Sequence, residues 1–362
     1  MKICYLANAR SIHTKRWAKH FVSRGYEVIV VSYQFGEIEG IRTICLSKSI
    51  SVSNLEILRL LPRVRHIVRE IWPDILHAHY ATSYGIAGVI SGKHPLVVTA
   101  WGSDVLITPE KSWAYRQMVS FVLSRADLVT TTAQHVTQHI IKKGYATKSK
   151  IVTLPFGVDL KYFNSNQRTR LHGEVPTLVI STRHLDHGYD VDTYVRAIPK
   201  VLNSCHHVRF MIVGDGPLRG QLEQLAVNLG VRDKIDFRGN ISHQEMPVLL
   251  KQSDVFVTTS PSDANNVSLN EAMACGVFPI VTDIPANRAW VEHRRNGLIF
   301  PCRDVDQLAD SIIEALLQPE WRLKVMDINW EIIRTQASWA LSMAEMENHY
   351  FRLIQESRQG KI

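Results

Sequence analysis

Short apolar segments alternate with longer amphipathic segments along this chain, and the whole alternation occurs twice. Strands separated by helices form parallel sheets that helices cover on both faces. The sequence therefore predicts an α/β protein with two doubly wound domains in tandem. The predicted strands are residues 2–6, 27–32, 75–78, 96–99, 128–132, 177–181, 209–213, 235–238, 255–258 and 278–282. The predicted helices include residues 14–24, 218–229, 246–251 and 267–275.

A chain of 362 residues is long enough for two hydrophobic cores, and its 45% hydrophobic content is that of a globular protein. We expect the first domain over residues 1–165 and the second over residues 170–339. A polar, turn-rich segment at residues 164–175 is the predicted linker, and the tail at residues 320–359 is predicted to be helical.

Charge distinguishes the two halves of the chain. Residues 1–170 contain 23 Lys and Arg against 10 Asp and Glu, whereas residues 171–362 contain 19 against 24. The basic half suits an anionic partner, such as a phospholipid surface, a lipid-linked phosphate or nucleic acid, or it carries solvated charges without a partner. Residues 55–72 resemble a surface-binding amphipathic helix that Pro62 interrupts, and a half-buried helix covering the sheet fits the same pattern. Its arginines are Arg59, Arg63, Arg65 and Arg69.

The five cysteines are scattered, without CxxC or Cys/His ligand spacing, so neither a disulfide framework nor a zinc site is predicted. The first residues lack an apolar run of leader length, and no segment approaches 18 uninterrupted apolar residues. We therefore expect a cytoplasmic protein, with any membrane contact peripheral and on the inner face.

The segment SDANNVSLNEAMACG at residues 262–276 predicts a loop that leads into a helix. Asn265 or Asn266 suits the N-cap, which directs the first-turn N–H groups back toward the loop. Such a helix start can hold a diphosphate, although a capped helix without a ligand has the same pattern. Asp263 in the loop and Glu271 in the helix are too far apart to share a proton, so we interpret them as two separate hydroxyl-binding anchors.

Gly214 and Gly216 lie in VGDGP, between a predicted strand and a predicted helix. Glycine there permits close approach of a ligand, or simply makes a tight turn. With Gly220 the spacing is one residue too long for the dinucleotide-binding fingerprint, and the segment follows the second strand of its domain. A dehydrogenase is therefore not predicted.

Six segments, in order, resemble the family-4 retaining glycosyltransferases of the GT-B fold. The resemblance implies two Rossmann-like domains that face each other across a cleft, the N-terminal one binding the acceptor and the C-terminal one binding a nucleotide sugar. It also implies that a C-terminal helix, at about residues 340–362, crosses back to the N-terminal domain. The segments are DILHAHY at 74–80, WGSD at 101–104, LPFGVDLKYF at 154–163, VGDGP at 213–217, FRGNI at 237–241 and SDANNVSLNEAMACGVFPIVTD at 262–283.

The resemblance also implies roles for single residues. Glu271 holds the ribose, Asp263 with Asn265 positions the sugar, and Arg183 neutralises the diphosphate leaving group; these three charged residues are the implied catalytic set. The implied donor-binding residues are Gly214, Gly216, Arg238, Asn265, Asn266, Val267 and Ser268. The implied residues of the acceptor side or cleft are Asn8, His13, His79, Trp101 and Asp104.

The chain departs from the family pattern in several places. Asp263 replaces a Glu, residues 264–266 replace Gly-aromatic-Gly, and Trp101 stands where many members have a histidine that contacts the sugar. The family's lysine after the arginine is missing, with His187 nearby, and the loop at residues 8–11 lacks the usual glycine pair.

No metal site is predicted. His77 and His79 share a face of a predicted strand, but no third ligand accompanies them. The Asp-Val-Asp sequences at residues 190–192 and 304–306 resemble the metal-binding DxD of a different glycosyltransferase fold. Both stand at predicted helix starts, where Asp is favoured for capping, so we interpret them as structural.

We therefore expect a retaining, metal-independent glycosyltransferase without a cofactor, of the kind that builds cell-surface polysaccharide or glycolipid. Its donor would be a UDP- or GDP-sugar, and its acceptor lipid-linked or a polysaccharide. A nucleotide-sugar epimerase on the same scaffold is one alternative, and a non-catalytic protein that binds a nucleotide sugar or nucleic acid is another. Only the charge of the first half favours nucleic acid, and no nucleic-acid partner is expected.

Overall fold

A computed structural model describes residues 1–166 and 176–362, so most of the predicted linker, residues 167–175, lies outside the described part of the chain. The chain divides into two compact units. Unit 1 comprises Met1–Pro155 and Met343–Ile362, and unit 2 comprises Phe156–Ser342. The division falls at Pro155 rather than near residue 165, because Val158 and Phe163 pack in a hydrophobic core of unit 2.

Unit 1 contains seven strands and the helices between them. Its elements are β1 (Lys2–Leu6), α1 (Ile12–Ser23), β2 (Glu27–Ser32), β3 (Arg42–Cys45), α2 (Asn54–Ile71), β4 (Ile75–His79), α3 (Ser83–Ser91), β5 (Leu96–Ala100), α4 (Ser103–Leu106), α5 (Thr108–Lys111), α6 (Trp113–Arg125), β6 (Leu128–Thr131), α7 (Gln134–Lys142) and β7 (Ile151–Thr153). The strands form one parallel sheet in the order β3-β2-β1-β4-β5-β6-β7.

In the residues that the structure describes, unit 2 repeats this plan with six strands. Its elements are β8 (Thr177–Thr182), α8 (Val191–Ser204), β9 (Val208–Val213), α9 (Arg219–Asn228), β10 (Ile235–Gly239), α10 (Met246–Lys251), β11 (Val255–Thr258), α11 (Val267–Ala274), β12 (Phe278–Thr282), α12 (Pro285–Arg288), β13 (Leu298–Phe300), α13 (Val305–Leu317) and α14 (Pro319–Gln336). The parallel sheet has the order β10-β9-β8-β11-β12-β13.

The predicted fold class, two doubly wound parallel α/β domains, is confirmed, and every predicted strand matches to within one residue at each end. The strands whose bounds the sequence did not indicate are β3, β7 and β13, which contain four, three and three residues. All three lie at sheet edges. An edge strand pairs on one side only, so it needs neither the length nor the continuous apolar run of a central strand.

Helix α2 differs from the prediction, because it continues through Pro62. One face of the helix is buried along its whole length, and Pro62 lies on the exposed face. Packing of the buried face outweighs the hydrogen bond that proline cannot donate. The interruption expected at Pro62 is therefore wrong, and α2 is half-buried, with its other face exposed. The buried side chains are Ile57, Leu61, Val64, Ile67, Val68 and Ile71.

The last helix, α15 (Trp339–Arg358), confirms the expected return to the N-terminal part of the chain, since its residues from Met343 onward pack in unit 1. Tyr350 is fully buried, and its hydroxyl lies 2.5 Å from His77 Nδ1. On the other side of the imidazole, His77 Nε2 lies 2.6 Å from Thr99 Oγ1. Because both ring nitrogens of a buried histidine need partners, this network ties the helix to β4 and β5.

We predict that Tyr350→Phe lowers the free energy of unfolding by about 1–3 kcal/mol, because His77 Nδ1 then remains buried without its partner. Chemical denaturation followed by circular dichroism measures the change. Tyr162→Phe removes the same hydroxyl from a side chain that is 51% exposed, and it should change stability by less than about 0.5 kcal/mol. Equal effects of the two substitutions would contradict this account of the network.

Candidate active site

The strand order of unit 2 reverses at β8, which has β9 on one side and β11 on the other. In open α/β sheets, ligands bind outside the carboxyl ends of the strands at such a reversal. The loop after β8 carries Arg183, and the loop after β11 carries Asp263, 80 residues further along the chain. The topology therefore brings two of the predicted catalytic residues to one edge of one sheet.

Arg183 has several partners at this edge. Its Nη2 donates to Asp263 Oδ2 at 3.0 Å, and its Nε donates to Thr258 Oγ1 at 3.2 Å. The guanidinium also lies over the ring of Tyr189, 5.4 Å from the centroid. The other carboxylate oxygen, Asp263 Oδ1, accepts the N–H of Ala264 at 2.8 Å. The two predicted catalytic groups thus touch each other, and the carboxylate orients the guanidinium.

Helix α11 follows this loop and begins where the sequence predicts. Asn266 is the N-cap, since its Oδ1 accepts the N–H of Leu269 at 3.2 Å. The N–H of Val267 donates to the carbonyl of Asn265 at 2.9 Å. Of the three first-turn N–H groups expected at the loop, only that of Ser268 has no acceptor within the residues that the structure describes. A ligand at this helix start would therefore meet one unoccupied donor rather than three.

A buried residue that the sequence did not indicate, Asn287, holds the cap in place. Asn266 Nδ2 donates to Asn287 Oδ1 at 2.9 Å, and both side chains are fully buried. Asn287 Nδ2 donates in turn to the carbonyl of Thr282 at 3.0 Å, and the Thr282 hydroxyl donates to the carbonyl of Ser260 at 2.6 Å. The network joins the start of α11 to the carboxyl ends of β11 and β12. No spacing rule reveals it, because only the fold brings these residues together.

Two other asparagines near α11 are buried without hydrogen bonds. Both amide atoms of Asn265, and both of Asn270, lack a partner among the described residues. Asn265 is 8% exposed and Asn270 is fully buried. Since a buried amide without partners is costly, these two side chains are available to a polar ligand or to ordered water. The family resemblance implies that Asn265 positions the sugar, and no motif indicates a role for Asn270.

Glu271 is the fifth of the eight residues of α11 and is 7% exposed. Its Oε1 accepts a hydrogen bond from His243 Nε2 at 3.0 Å. Asp263 is bonded instead to Arg183, so the two carboxylates have different partners. They do not form a dyad.

Gly214 and Gly216 have a packing role in the structure. A Cβ atom at Gly214 would overlap the carbonyl of Arg183, and one at Gly216 would overlap the carbonyl of Leu185. Gly214 also has a φ of 141°, which L side chains rarely adopt. The glycines therefore let the β9–α9 turn approach the loop that carries Arg183.

Two predicted or suggested residues lie apart from this cluster. Arg238 donates from Nε to Asp236 Oδ2 at 2.5 Å, and its side chain is half exposed. His187 is exposed and lines a groove with Arg196 of α8 and Leu218 beside α9. In the described residues, neither makes a hydrogen bond to Arg183, Asp263 or Glu271.

In unit 1 the predicted acceptor-side residues include a cluster of rings at the carboxyl ends of β1, β4 and β5. The His13 and Trp101 rings lie 5.1 Å apart at 87°, and those of His79 and Trp101 lie 5.3 Å apart. Tyr80 stacks on Trp101 with centroids 4.9 Å apart. Its φ of 77° is unusual for so bulky a residue, and such strain concentrates at functional sites.

Asp104 and Asn8 support this region from two loops. The buried Asp104 carboxylate accepts the N–H groups of Ala81, Trp101 and Gly102 at 2.6, 3.0 and 2.9 Å. It therefore clamps the loop after β4 to the loop after β5. Asn8, in the loop after β1, accepts the N–H of Arg10 at 3.0 Å.

In the residues that the structure describes, no group of three or more His, Cys, Asp or Glu side chains is placed to hold a metal ion. Asp304 caps α13 by accepting the N–H of Gln307 at 2.9 Å. Asp190 precedes α8 and accepts the Thr193 hydroxyl at 2.8 Å. The expected side-chain cap is thus present at Asp304, whereas the Asp190 side chain, at the N-cap position of α8, accepts no backbone N–H there.

Two family models match the chain. The model described as "Glycosyl transferase 4-like" matches residues 2–133, and the one described as "Glycosyl transferases group 1" matches residues 164–327. This chain belongs to the family-4 glycosyltransferases of the GT-B fold. Together the two matches cover the sheet of each unit, apart from β7 at one edge.

Relatives of the family are distant in sequence. The chain is 24% identical over 302 residues to N-acetyl-alpha-D-glucosaminyl L-malate synthase of Bacillus anthracis, covering 80% of this chain and 77% of that protein. It is 25% identical over 305 residues to the GDP-mannose-dependent alpha-(1-6)-phosphatidylinositol monomannoside mannosyltransferase of Mycobacterium tuberculosis, covering 78% of this chain and 77% of that one. The solved structure of Anabaena HepE in complex with UDP-glucose has a TM-score of 0.79 at 18% identity, covering 98% and 100% of the two chains.

Burial of two histidines, His77 and His79, makes the stability of unit 1 sensitive to acid. It lowers the pKa of His79 to about 3, with His13 adding to the effect, and holds the pKa of His77 well below its usual range. A histidine in the unfolded chain titrates near pH 6.5. The stability that these neutral imidazoles contribute is therefore complete above about pH 6.5 and is lost as the pH falls toward about 3. Burial raises the pKa of Asp104 to about 6, which offsets part of the loss.

We predict that His79→Asn flattens the fall of the unfolding free energy between about pH 6 and pH 4. The difference in slope from the parent should approach about 1.4 kcal/mol per pH unit, because one proton fewer binds on unfolding. Urea titrations at several pH values measure it. The matched control is His206→Asn, which makes the same substitution at an exposed histidine. Parallel pH profiles for the parent and His79→Asn would contradict the prediction.

Proposed function

We propose that this glycosyltransferase moves a sugar from a UDP- or GDP-sugar to a lipid-linked or polysaccharide acceptor, with retention of configuration and without a metal ion or other cofactor. The observation that carries the proposal is the meeting of Arg183, Asp263 and the start of α11 at the strand-order reversal of unit 2, with Glu271 in the same helix. Relatives support the donor class, since one is named for GDP-mannose and a structural neighbour holds UDP-glucose.

The proposed roles follow from charge and from unused hydrogen-bonding groups. Arg183 has five N–H donors, of which Asp263 and Thr258 occupy two, so the others remain to face a diphosphate. Together with the partial positive charge of the helix start, they stabilise the leaving group. Glu271 accepts hydrogen bonds from the ribose, and Asp263 with Asn265 meets the sugar.

The configuration at the anomeric carbon is retained if the diphosphate leaves and the acceptor attacks on the same face of the sugar. The bond between the anomeric carbon and the diphosphate oxygen breaks, and a bond to the acceptor oxygen forms on the side that the leaving group vacates. The acceptor proton passes to the departing phosphate oxygen. Arg183 supplies charge compensation, and no protein nucleophile is needed.

The acceptor side of the proposal rests on unit 1, where Trp101 and Tyr80 form a stacked platform beside His13 and His79. Aromatic faces pack against the apolar faces of sugar rings, and imidazole nitrogens bind hydroxyls. Two relatives, one named for phosphatidylinositol monomannoside and one for teichuronic acid biosynthesis, support a lipid or polysaccharide acceptor.

We predict that Glu271→Gln and Asp263→Asn each lower turnover by about a hundredfold or more, because each removes a charged anchor of the donor. The measurement is release of nucleoside diphosphate from labelled UDP- and GDP-sugars, with and without a lipid extract of the source cells. Proton NMR of the product reports the anomeric configuration.

The controls for this experiment are Glu292→Gln and Asp306→Asn, which alter exposed carboxylates in surface ion pairs. They should retain parental rates. Full activity of Glu271→Gln and Asp263→Asn would refute the assignment. Conversion of donor alone into an epimeric nucleotide sugar would indicate the epimerase instead.

We also propose that unit 1 docks on an anionic membrane through the exposed face of α2. Leu55 and Leu58 are 69% and 57% exposed on this helix. Asn54 donates to the hydroxyl of Tyr115 at 2.9 Å, which brings the start of α2 beside α6, where Trp113 is 72% exposed. Exposed apolar side chains among arginines suit the interface of an anionic bilayer. The arginines on α2 are Arg59, Arg63, Arg65 and Arg69, all exposed. None of the helices in the described ranges has the length and apolar character needed to cross a bilayer.

We predict that replacing Arg59, Arg65 and Arg69 by Gln weakens binding to phosphatidylglycerol-containing vesicles at low salt by about a hundredfold, since each charge near the surface contributes about 1 kcal/mol. Co-sedimentation measures the bound fraction. A control variant with the same change in net charge replaces three exposed arginines of unit 2 by Gln. These are Arg288, Arg294 and Arg295. Equal loss in both variants, or no binding by the parent, would refute membrane docking through α2.

A further inference from the structure

His243 lies beside one of the two proposed donor anchors, and no motif indicated it. Its Nε2 donates to Glu271 Oε1 at 3.0 Å. The Glu271 side chain is 9% exposed and that of His243 is 38% exposed. Within the described residues, Glu271 Oε2 makes no hydrogen bond. The imidazole therefore occupies one carboxylate oxygen and leaves the other oxygen for a ligand.

The loop that carries His243 is held in a defined conformation. Ser242 donates its N–H and its hydroxyl to Glu245 Oε2 at 3.0 and 2.7 Å, and the Glu245 N–H lies 3.3 Å from the Ser242 hydroxyl. On either side of this turn, Ile241 and Met246 pack on the hydrophobic cluster that also contains Leu269 of α11. The loop and the helix that bears Glu271 thus share one core.

Phe163 fixes the imidazole itself. Its ring meets the His243 ring at 61°, with centroids 5.0 Å apart. Phe163 is fully buried, and it packs in the same cluster as Leu269 and Ala272 of α11. One aromatic side chain therefore supports both members of the His243–Glu271 pair. This also assigns a physical role to the last residue of the segment LPFGVDLKYF.

We propose that His243 is a positioning residue, which orients the Glu271 carboxylate so that its second oxygen accepts hydrogen bonds from the ribose hydroxyls of the donor. This inference rests on the proposed function, in which Glu271 binds the ribose. A nearly buried glutamate has several side-chain rotamers, and an N–H donor on a rigid loop selects one of them. His243 then determines how strongly the enzyme distinguishes ribose from deoxyribose.

The test is isothermal titration calorimetry of the full chain with UDP and GDP, and with the 2′-deoxy and 3′-deoxy forms of whichever binds. The parent should bind at least one deoxy form about tenfold to a hundredfold more weakly, since it loses a hydrogen bond to a charged group. In His243→Ala, the ribonucleotide should bind about tenfold more weakly while the affinity for the deoxy form stays the same. The ribose discrimination should thus nearly disappear.

Two further variants make the result specific. His243→Gln keeps an N–H donor of similar reach and should restore most of the discrimination. His206→Ala removes an exposed histidine from the turn before β9, at the amino end of that strand, and should behave as the parent. Discrimination that depends on the N–H donor cannot arise from a general loss of stability.

The outcomes separate this inference from the proposed function. If His243→Ala weakens binding of the ribonucleotide and its deoxy forms by the same factor, or changes neither, the positioning role is refuted while the donor site stands. If the parent binds neither UDP nor GDP, the proposed function itself fails, and the role of His243 fails with it.

Discussion

Arg183 and Asp263 touch because β8 and β11 are adjacent parallel strands, although the two residues are 80 positions apart. The Arg183 side chain is 9% exposed and the Asp263 side chain 18%. A buried guanidinium without a partner is strongly destabilising, by about 3–5 kcal/mol. The loop between β11 and α11 therefore has to keep its carboxylate near Arg183, and Gly214 has to lack a Cβ so that the β9–α9 turn can pass beside the Arg183 carbonyl. The conformation of the surrounding loops depends on this pair.

Around the pair, the start of α11 combines satisfied and unsatisfied polar groups. Asn266 and Asn287 are fully buried and bonded to each other, which holds the helix start in place. Asn265 and Asn270 are buried as well, yet their amides have no partners in the described parts of the chain. Each unpaired buried amide costs about 1–3 kcal/mol. A helix start that is rigid on one side and unpaired on the other is suited to binding a polar ligand, and this arrangement supports the proposed donor site.

Much of the fold could be predicted from the sequence, because central parallel strands are continuous apolar runs and the intervening segments have helical periodicity. The sequence did not indicate the edge strand β3, because its side chains are partly buried or exposed and do not form a continuous apolar run. The interruption expected at Pro62 was wrong for a related reason. Proline has a low helix propensity, but burial of one face of α2 stabilises the continuous helix. In the site, the cap at Asn266 followed from residue type and position. Asn287 and His243 could not be predicted in this way. Asn287 contacts Asn266, which is 21 positions away, and His243 contacts Glu271, which is 28 positions away.

The sequence by itself determined the two α/β domains, the helix that starts after Asn266, and the separation of Asp263 in the loop from Glu271 in the helix. These are local properties, set by apolar periodicity and by capping. The tertiary structure alone decided the partners of the charged groups: Asp263 with Arg183, Glu271 with His243, and His77 with Tyr350. Such pairings depend on the order of strands in a sheet and on which helix covers it. Because that order follows from packing of the whole unit, no short segment of sequence contains it.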